Sequence, residues 1–447
     1  MKFSSILAKN EELGNKLNAK PYNISILSNI IIHQIKDILE YNLRIEDINA
    51  LVQFGDYDNI VQNSEQQNES NVVFLFWEVS NIIDGLQYKI ELMNDIEQNE
   101  VYEKMKSEIN LVLNNLNKTS LVILNKFTSL QFYSRNINHN NFEKLVVRLN
   151  LFLKKIIPEN TKLIDLDRVI ANVSVPSSFD LRFYSSSKAL YTIEFFKEYV
   201  RYVKPFIMSA NGGSKKALIF DCDNTLWKGI LGEDGFENLQ MSPRTNDGSI
   251  FHEIQAQALT LAKQGILIGL CSKNNPEDID NVISSHPDMQ LRDEHITVNK
   301  SNWSNKASNL KDIARELNIG LDSLVFIDDS TFEVNLIRQH LPEVTVLQVP
   351  ERLYEYPKML RDNMSLFYNH SYTAEDKDKT KMYKNQKRRE AVKKNFVDID
   401  DYLKSLDLKV MVYEDDISLI PRMSQMSQKT NQFNLTTKRY TEADINN

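Results

Sequence analysis

Three apolar runs in the second half of the sequence each end in groups able to do chemistry. Residues 216–220 (KALIF) lead into Asp221, with Asp223 following in DCDNT. Residues 265–270 (GILIGL) lead into Cys271 and Ser272, and residues 323–327 (SLVFI) lead into Asp328 and Asp329. Lys306 stands at the start of the helical stretch before the third run. This set suits phosphoryl transfer. An aspartate carboxylate can accept a phosphoryl group covalently, which makes Asp221 the candidate nucleophile. Asp223 would protonate the leaving oxygen and later activate water. Four carboxylates around one point repel one another. Mg²⁺, a hard cation that takes oxygen ligands and bridges carboxylate to phosphate, removes that conflict. Ser272 and Lys306 remain to hold the other phosphate oxygens. Taken singly, each aspartate reads as a cap or turn residue after a strand. Their order, and their common place at the end of a run, point to a site.

That place requires a parallel sheet, whose strands deliver their carboxyl ends to one edge, where ligands bind in open α/β folds. Strands are expected at 216–220, 265–270, 323–327 and 344–349, with helices at 249–263, 277–284, 305–317 and 332–340. The N-terminal part alternates in the same way. Its expected strands are 23–27, 50–54, 71–77, 120–124 and 162–166, and its helices 30–41, 93–116, 141–156 and 188–207. In the second of these helices Val101, Met105, Ile109, Val112 and Leu116 recur at helical spacing. Alternation of this kind indicates the α/β class. The small, polar stretch 209–214 (SANGGS) reads as a linker. The expected division is an N-terminal α/β domain over 1–208, a catalytic α/β domain over 215–355 and a mostly helical tail over 356–447. A short strand is expected at 408–413 and a helix near 418–430.

Composition narrows the function classes. A chain of 447 residues, 42% hydrophobic and 26% charged, is an ordinary multi-domain globular protein. Its net charge of −8 argues against nucleic acid as a partner. No apolar run approaches the ~20 residues of a membrane span, and the N-terminus lacks the apolar core of a signal peptide. Two cysteines exclude both a disulfide framework and a cysteine-rich zinc site. The expected setting is cytoplasmic, with neither membrane nor nucleic acid bound.

The set Asp221-Cys222-Asp223-Asn224-Thr225, Ser272, Lys306 and Asp328-Asp329 resembles the four motifs of the haloacid dehalogenase superfamily. Its members are mostly Mg²⁺-dependent phosphatases that work through a phosphoaspartyl intermediate. The resemblance implies Asp221 as nucleophile and Asp223 as acid and base. It implies Mg²⁺ held by Asp221, the backbone carbonyl of Asp223 and Asp328, with Asp329 in support. It implies phosphate contacts from Thr225, Ser272 and Lys306. The intervals from Asp221 to Ser272 and from Ser272 to Lys306 leave no room for a large cap domain, so the site should be open or covered by another domain. The runs DCDNTLWKGILGEDG, CSKNNP, FIDDSTFEVNLIRQHLPEV and NQFNLTTKRYTEADI closely resemble the FkbH-like family, a capless subclass (IIIC) of that superfamily. The likeness covers most of 215–445 and is looser before it. It implies an SGNH-hydrolase-like N-terminal domain followed by a Rossmann-like haloacid dehalogenase domain. It implies an enzyme that takes glyceryl from 1,3-bisphosphoglycerate and removes phosphate. The glyceryl unit would be loaded onto the phosphopantetheine thiol of an acyl carrier protein, for polyketide-type biosynthesis.

If the enzyme itself forms a thioester, only Cys222 and Cys271 are available. Strand alternation turns Cys222 away from Asp221 and Asp223. Cys271, beside Ser272, is expected at the mouth of the site and is the candidate acyl-carrying thiol. The plain alternative is a buried structural cysteine, and direct transfer without a cysteine stays open. In the N-terminal block, Ser28 follows the first strand, but none of the seven histidines completes a hydrolase pattern with it. That block reads as a non-catalytic docking or covering module. The basic segment 377–394 is a candidate dock for an acidic carrier protein or simply a solvated helix face. Trp227 and His252 read as packing or turn residues. In longer relatives the final run leads into an acyltransferase-like unit, of which only the opening would be present. Two rival readings follow from the same residues: a phosphatase for a small phosphorylated metabolite, and a carrier-protein binding module with a vestigial site.

Overall fold

The apolar runs form two parallel sheets, one in each of the two units into which the chain divides, Met1–Ala210 and Asn211–Asn447. The computed structural model describes residues 1–67, 69–132, 140–369, 411–414, 416–429 and 440–446.

In the first unit the strands are β1 (Tyr22–Ser28), β2 (Ala50–Phe54), β3 (Val72–Phe76), β4 (Leu121–Asn125) and β5 (Thr161–Ile164). They lie in the order β2-β1-β3-β4-β5, parallel throughout. Both faces are covered, which is why the strands read as continuous apolar runs. Ile24, Phe74 and Ile123 face a core shared with the helices Ile35–Arg44, Leu166–Val173 and Ile193–Ala210. Leu27, Val73, Leu75 and Val122 face Asp95–Asn115 and Asn141–Ile156. The first of these two helices starts at Asn94, whose side chain and that of Glu97 cap each other's backbone N–H groups. The helix Phe3–Lys16 and the short helices Val175–Ser178 and Leu181–Ser187 have no counterpart in the sequence expectation.

In the second unit the strands are β6 (Ala217–Phe220), β7 (Leu267–Ser272), β8 (Ile296–Ser301), β9 (Leu324–Asp328) and β10 (Thr345–Gln348). Their order is β10-β9-β6-β7-β8, again all parallel. Leu218, Phe220, Ile268, Leu270, Val325 and Ile327 face the helices Asn246–Lys263 and Pro276–Ser285. Ala217, Ile219, Cys271, Leu324 and Phe326 face Lys306–Glu316 and Thr331–His340. The segments between β6 and β7 and between β7 and β8 hold helices, turns and isolated bridges such as Lys228 to Gln240, with no inserted domain. Residue 355 does not end the core: Tyr356, Leu360 and Phe367, from the helix Tyr356–Asn363 and the turn after it, are buried with Phe220 and Leu270. Farther on, the described residues include the helices Ile420–Lys429 and Glu442–Asn446. Met411–Tyr413 form no strand. Residues 408–410, the basic segment 377–394 and most of NQFNLTTKRY lie outside the described residues. Among the described residues, no helix is long and apolar enough to cross a membrane.

One buried charge in the first unit makes its stability depend on pH. Glu78 follows β3 and is buried. Its Oε1 accepts from Ser80 N, Ser80 Oγ and Gln131 Nε2, and its Oε2 accepts from the Tyr191 hydroxyl. Burial pushes the carboxyl up to about 7, against the opposing pull of these hydrogen bonds. The folded state therefore binds a proton that the unfolded chain gives up at a lower pH. Stability is highest below the unfolded value, falls as pH rises through about 7, and is flat above it. Glu78→Gln keeps the Oε1 acceptor and offers an N–H to the Tyr191 oxygen. Hydrogen–deuterium exchange of β3 and β4 in the full chain should show this fall in the wild type and none in the variant. At pH 8 the variant should be the more stable by up to about 3 kcal/mol.

Candidate active site

Register places the acidic residues side by side. Phe220 pairs with Ile327, so Asp221 and Asp328 are neighbours one step beyond, and the Asp221 N–H donates to the Ile327 carbonyl at 2.9 Å. Alternation turns Asp221 to the face of Ala217 and Ile219, and puts Cys222 in the opposite core with Phe220. The chain then makes a closed turn. The Leu226 N–H returns to the Cys222 carbonyl at 2.8 Å, and Asn224 Oδ1 accepts from the Gly229 N–H at 3.1 Å. Asn224 sits at φ 51° and Gly229 at φ 111°, so the turn relies on residues that tolerate positive φ. Thr225 is fully buried in this turn, and among the described residues its hydroxyl has no hydrogen-bond partner. Its carbonyl accepts from the Tyr356 hydroxyl at 3.1 Å.

Carboxylate oxygens of Asp221, Asp328 and Asp329 lie within 4.8 Å of one another. Lys306 Nζ sits 3.0 Å from Asp221 Oδ1 and 2.6 Å from Asp328 Oδ2. Asn305 caps the helix by accepting from the Ala307 N–H at 2.7 Å, which makes Lys306 the first helical residue at the sheet edge. Asp328 Oδ1 accepts from the Ser330 N–H at 2.8 Å. Burial pushes the Asp221 carboxyl up to about 6; Lys306 pulls it down and Asp328 pushes it further up. Burial also raises Asp328 and Asp329. For Lys306, burial works against the charged form, but the two carboxylates overcome it and the net shift is upward. One ammonium does not balance three carboxylates. An all-oxygen donor set with surplus negative charge fits a hard divalent cation, and Asp221, Asp328 and Asp329 are the side chains that could hold one. The Asp223 side chain is not part of this cluster, which leaves only its backbone carbonyl for a metal.

The Asp223 carboxylate is instead held by three donors. Trp227 Nε1 and the Leu231 N–H each reach Oδ1 at 3.0 Å, and Asn274 Nδ2 reaches Oδ2 at 2.9 Å. Asn274 Nδ2 also lies 3.1 Å from Ser272 Oγ. Trp227 thus packs, being fully buried, and also positions a candidate acid. Asn274 was not singled out in the sequence; its signal is a polar residue two places after Ser272 in CSKN. Beside it, Lys273 Nζ pairs with Glu333 Oε1 at 2.6 Å, another contact the sequence did not suggest.

Cys271 does not stand at the mouth of the site. It is fully buried among Ala217, Ala307 and Leu310, and its thiol lies 3.8 Å from the Lys306 carbonyl, placed to donate to it. Burial holds its pKa well above the usual thiol range, the opposite of what an acyl-accepting thiolate needs. The reason is the two-residue period of β7, which turns Cys271 under the helix of Lys306 while Ser272 ends the strand. Cys222 is likewise buried and raised by burial. In the first unit, Ser28 Oγ donates to the Ile30 carbonyl at 2.8 Å and accepts from the Ile30 N–H at 3.1 Å. The His33 ring packs edge-on against Phe54. No histidine hydrogen-bonds to Ser28 among the described residues.

A parallel sheet with paired carboxylates after two adjacent strands, a serine after a third and a lysine between them has the architecture of a haloacid dehalogenase-like phosphatase domain. A solved structure carries the comparison further. The crystal structure of the N-terminal part of protein BF1531 from Bacteroides fragilis, containing a phosphatase domain complexed with Mg, aligns with a TM-score of 0.69 at 25% identity. The alignment covers 83% of this chain and 99% of that one. An alignment to apo D-lactate dehydrogenase from Escherichia coli, at 11% identity and a TM-score of 0.14, carries no argument. No protein-family model and no curated protein matches the chain.

Two outcomes follow from this geometry. In the native protein a soluble thiol reagent should modify neither cysteine, and both should react once the chain is unfolded; rapid native labelling of Cys271 would refute its burial. Mg²⁺ at about 100 times its Kd should stabilise the second unit by about 2.7 kcal/mol in a thermal melt. Asp328→Asn should remove most of that gain, and an undiminished gain would place the ion elsewhere.

Proposed function

We propose that this chain is a Mg²⁺-dependent phosphatase of the haloacid dehalogenase type that works through Asp221. The observation that carries the reading is the buried cluster of Asp221, Asp328 and Asp329 around Lys306 at the carboxyl edge of the second sheet. A likeness to a phosphatase domain crystallised with Mg supports it. Held by Asp221, Asp328 and Asp329, the ion would supply charge neutralisation at the phosphate. The chain's own groups do the rest. Lys306 and Ser272 hold phosphate oxygens and leave the phosphorus facing Asp221. An Asp221 oxygen bonds to phosphorus as the bond to the leaving oxygen breaks, and Asp223 gives that oxygen a proton. Asp223 then takes a proton from the water that releases phosphate and restores Asp221.

The finer reading rests on the sequence resemblance. The substrate is 1,3-bisphosphoglycerate, and the product is a glyceryl unit on the phosphopantetheine thiol of an acyl carrier protein. With Cys271 buried, the carrier thiolate attacks the acyl phosphate carbonyl directly: the C–S bond forms, the C–O bond breaks and phosphate departs. The remaining phosphate ester is hydrolysed at Asp221. The first unit serves as an SGNH-like docking or covering module without chemistry of its own. A second reading, a phosphatase for a small phosphorylated metabolite, draws support from the burial of Cys271, because it needs no thiol.

Phosphate release and intact mass separate these readings. Asp221→Asn should lower phosphate release by at least about 10³-fold; retained release would remove Asp221 as nucleophile. With Mg²⁺, 1,3-bisphosphoglycerate and a holo carrier protein, the wild type should leave a glyceryl adduct on the carrier. Steady phosphate release with an unchanged carrier mass would favour the metabolite phosphatase.

A further inference from the structure

We infer that Asn274 is a positioning residue for the phosphatase reaction, aiming Oδ2 of Asp223 at the bond that breaks and tying it to Ser272. The inference rests on the phosphatase reading above and adds the atom that moves the proton and the side chain that sets it.

Each carboxylate oxygen offers two lone pairs. On Asp223 Oδ1, both are taken, by Trp227 Nε1 and the Leu231 N–H at 3.0 Å each. Among the described residues Oδ2 has a single partner, Asn274 Nδ2 at 2.9 Å. One site therefore remains, on Oδ2, and the proton must be carried there. Asn274 is itself buried and spends both amide hydrogens, one on Asp223 Oδ2 and one on Ser272 Oγ at 3.1 Å. The opposite amide orientation would set its oxygen against a carboxylate oxygen, so the nitrogen belongs where it is. Because Ser272 accepts from Asn274, its own hydrogen is directed to the Asp221 carboxylate, the acceptor for which a bound phosphate oxygen would compete. One amide thus fixes two rotors, the carboxyl of the acid and the hydroxyl of the phosphate ligand.

Asp221 bonds to phosphorus while the ester P–O bond breaks. The leaving oxygen keeps the bonding pair and takes the proton from Asp223 Oδ2, which is left as a carboxylate. Without Asn274, Oδ1 stays anchored through Trp227 and Leu231, but Oδ2 loses the partner that fixes it. Leaving groups that need a proton should therefore suffer more than those that do not.

The test compares kcat/KM on glycerol 2-phosphate, whose alkoxide must be protonated, with para-nitrophenyl phosphate, whose phenolate leaves without a proton. Both assays use the full chain with Mg²⁺. Asn274→Ala should lose on the order of 10²-fold on the alkyl ester and less than about 10-fold on the aryl ester. Asn274→Leu, which keeps the branched shape and removes both donors, should show the same split and carries the test should the alanine variant not fold. Adding Asn274→Ala to Asp223→Ala should cost little more on the alkyl ester, because Asn274 acts through Asp223. Equal losses on both esters, or full additivity with Asp223→Ala, would overturn the assignment and leave Asn274 a structural residue. A wild type that releases phosphate from neither ester, even with Mg²⁺, would overturn the phosphatase reading itself and this assignment with it.

Discussion

The second unit depends on one buried ammonium. Lys306 reaches Asp221 and Asp328 at hydrogen-bonding distance while almost wholly out of water. Taking an ion out of water costs several kcal/mol, and only a close partner offsets that. Lys306 has two carboxylate partners and so stays charged; Asp221 and Asp328 have one ammonium between them. Burial raises both carboxyls, and the shared ammonium pulls them back only in part. Desolvation, which penalises each charge separately, strengthens the field felt by whatever enters. A phosphate dianion alone would be repelled by three carboxylates. A site of this kind can accept phosphate only together with a cation, so the ion-binding and phosphate-binding readings of these residues are a single statement.

Backbone register puts those charges in place. Asp221 follows Phe220, which pairs with Ile327 on one side and Leu270 on the other. One residue further along each strand lie Asp221, Asp328 and Cys271, and one more brings Ser272. A slip of one residue in β6 would turn Asp221 into the core and bring Cys222 to the edge. β7 carries Gly269, where a Cβ would lie 2.7 Å from Val298 Cγ1 and 2.8 Å from Ile219 Cδ1, so side chains of the two neighbouring strands fill the space a larger residue would need.

Much of this was legible in the sequence because parallel strands covered on both faces leave unbroken apolar runs, and GILIGL or VVFLF admits few other readings. The helix Asn141–Ile156 was legible to the residue for a similar reason, its apolar stripe being regular. β8 was not. Ile296–Ser301 is an edge strand whose second half is Asn299, Lys300 and Ser301, so its apolar run is too short to stand out. Side-chain direction was the harder matter. Cys271 and Ser272 are adjacent in sequence, but their places differ by one step of the pleat, and sequence adjacency hid that difference. Asn274 and Trp227 were opaque for another reason. Their roles come from where the turns after β7 and β6 fold back, and turn geometry of that kind has no periodicity to read.

The Asp223 clamp bears on how an uncapped site can work. All three donors, Trp227, Leu231 and Asn274, come from the same unit as Asp221 and Lys306. The acid is therefore oriented before anything covers the opening, and no inserted domain is needed to complete it. Donors fixed in advance need no reorganisation as charge develops, which is where electrostatic catalysis draws most of its effect. An arrangement completed by closure would couple the choice of substrate to the chemistry, since only a substrate that drives closure would react. Here the orientation of the acid is set by β6, β7 and the turns after them, so it does not wait on closure by an inserted domain.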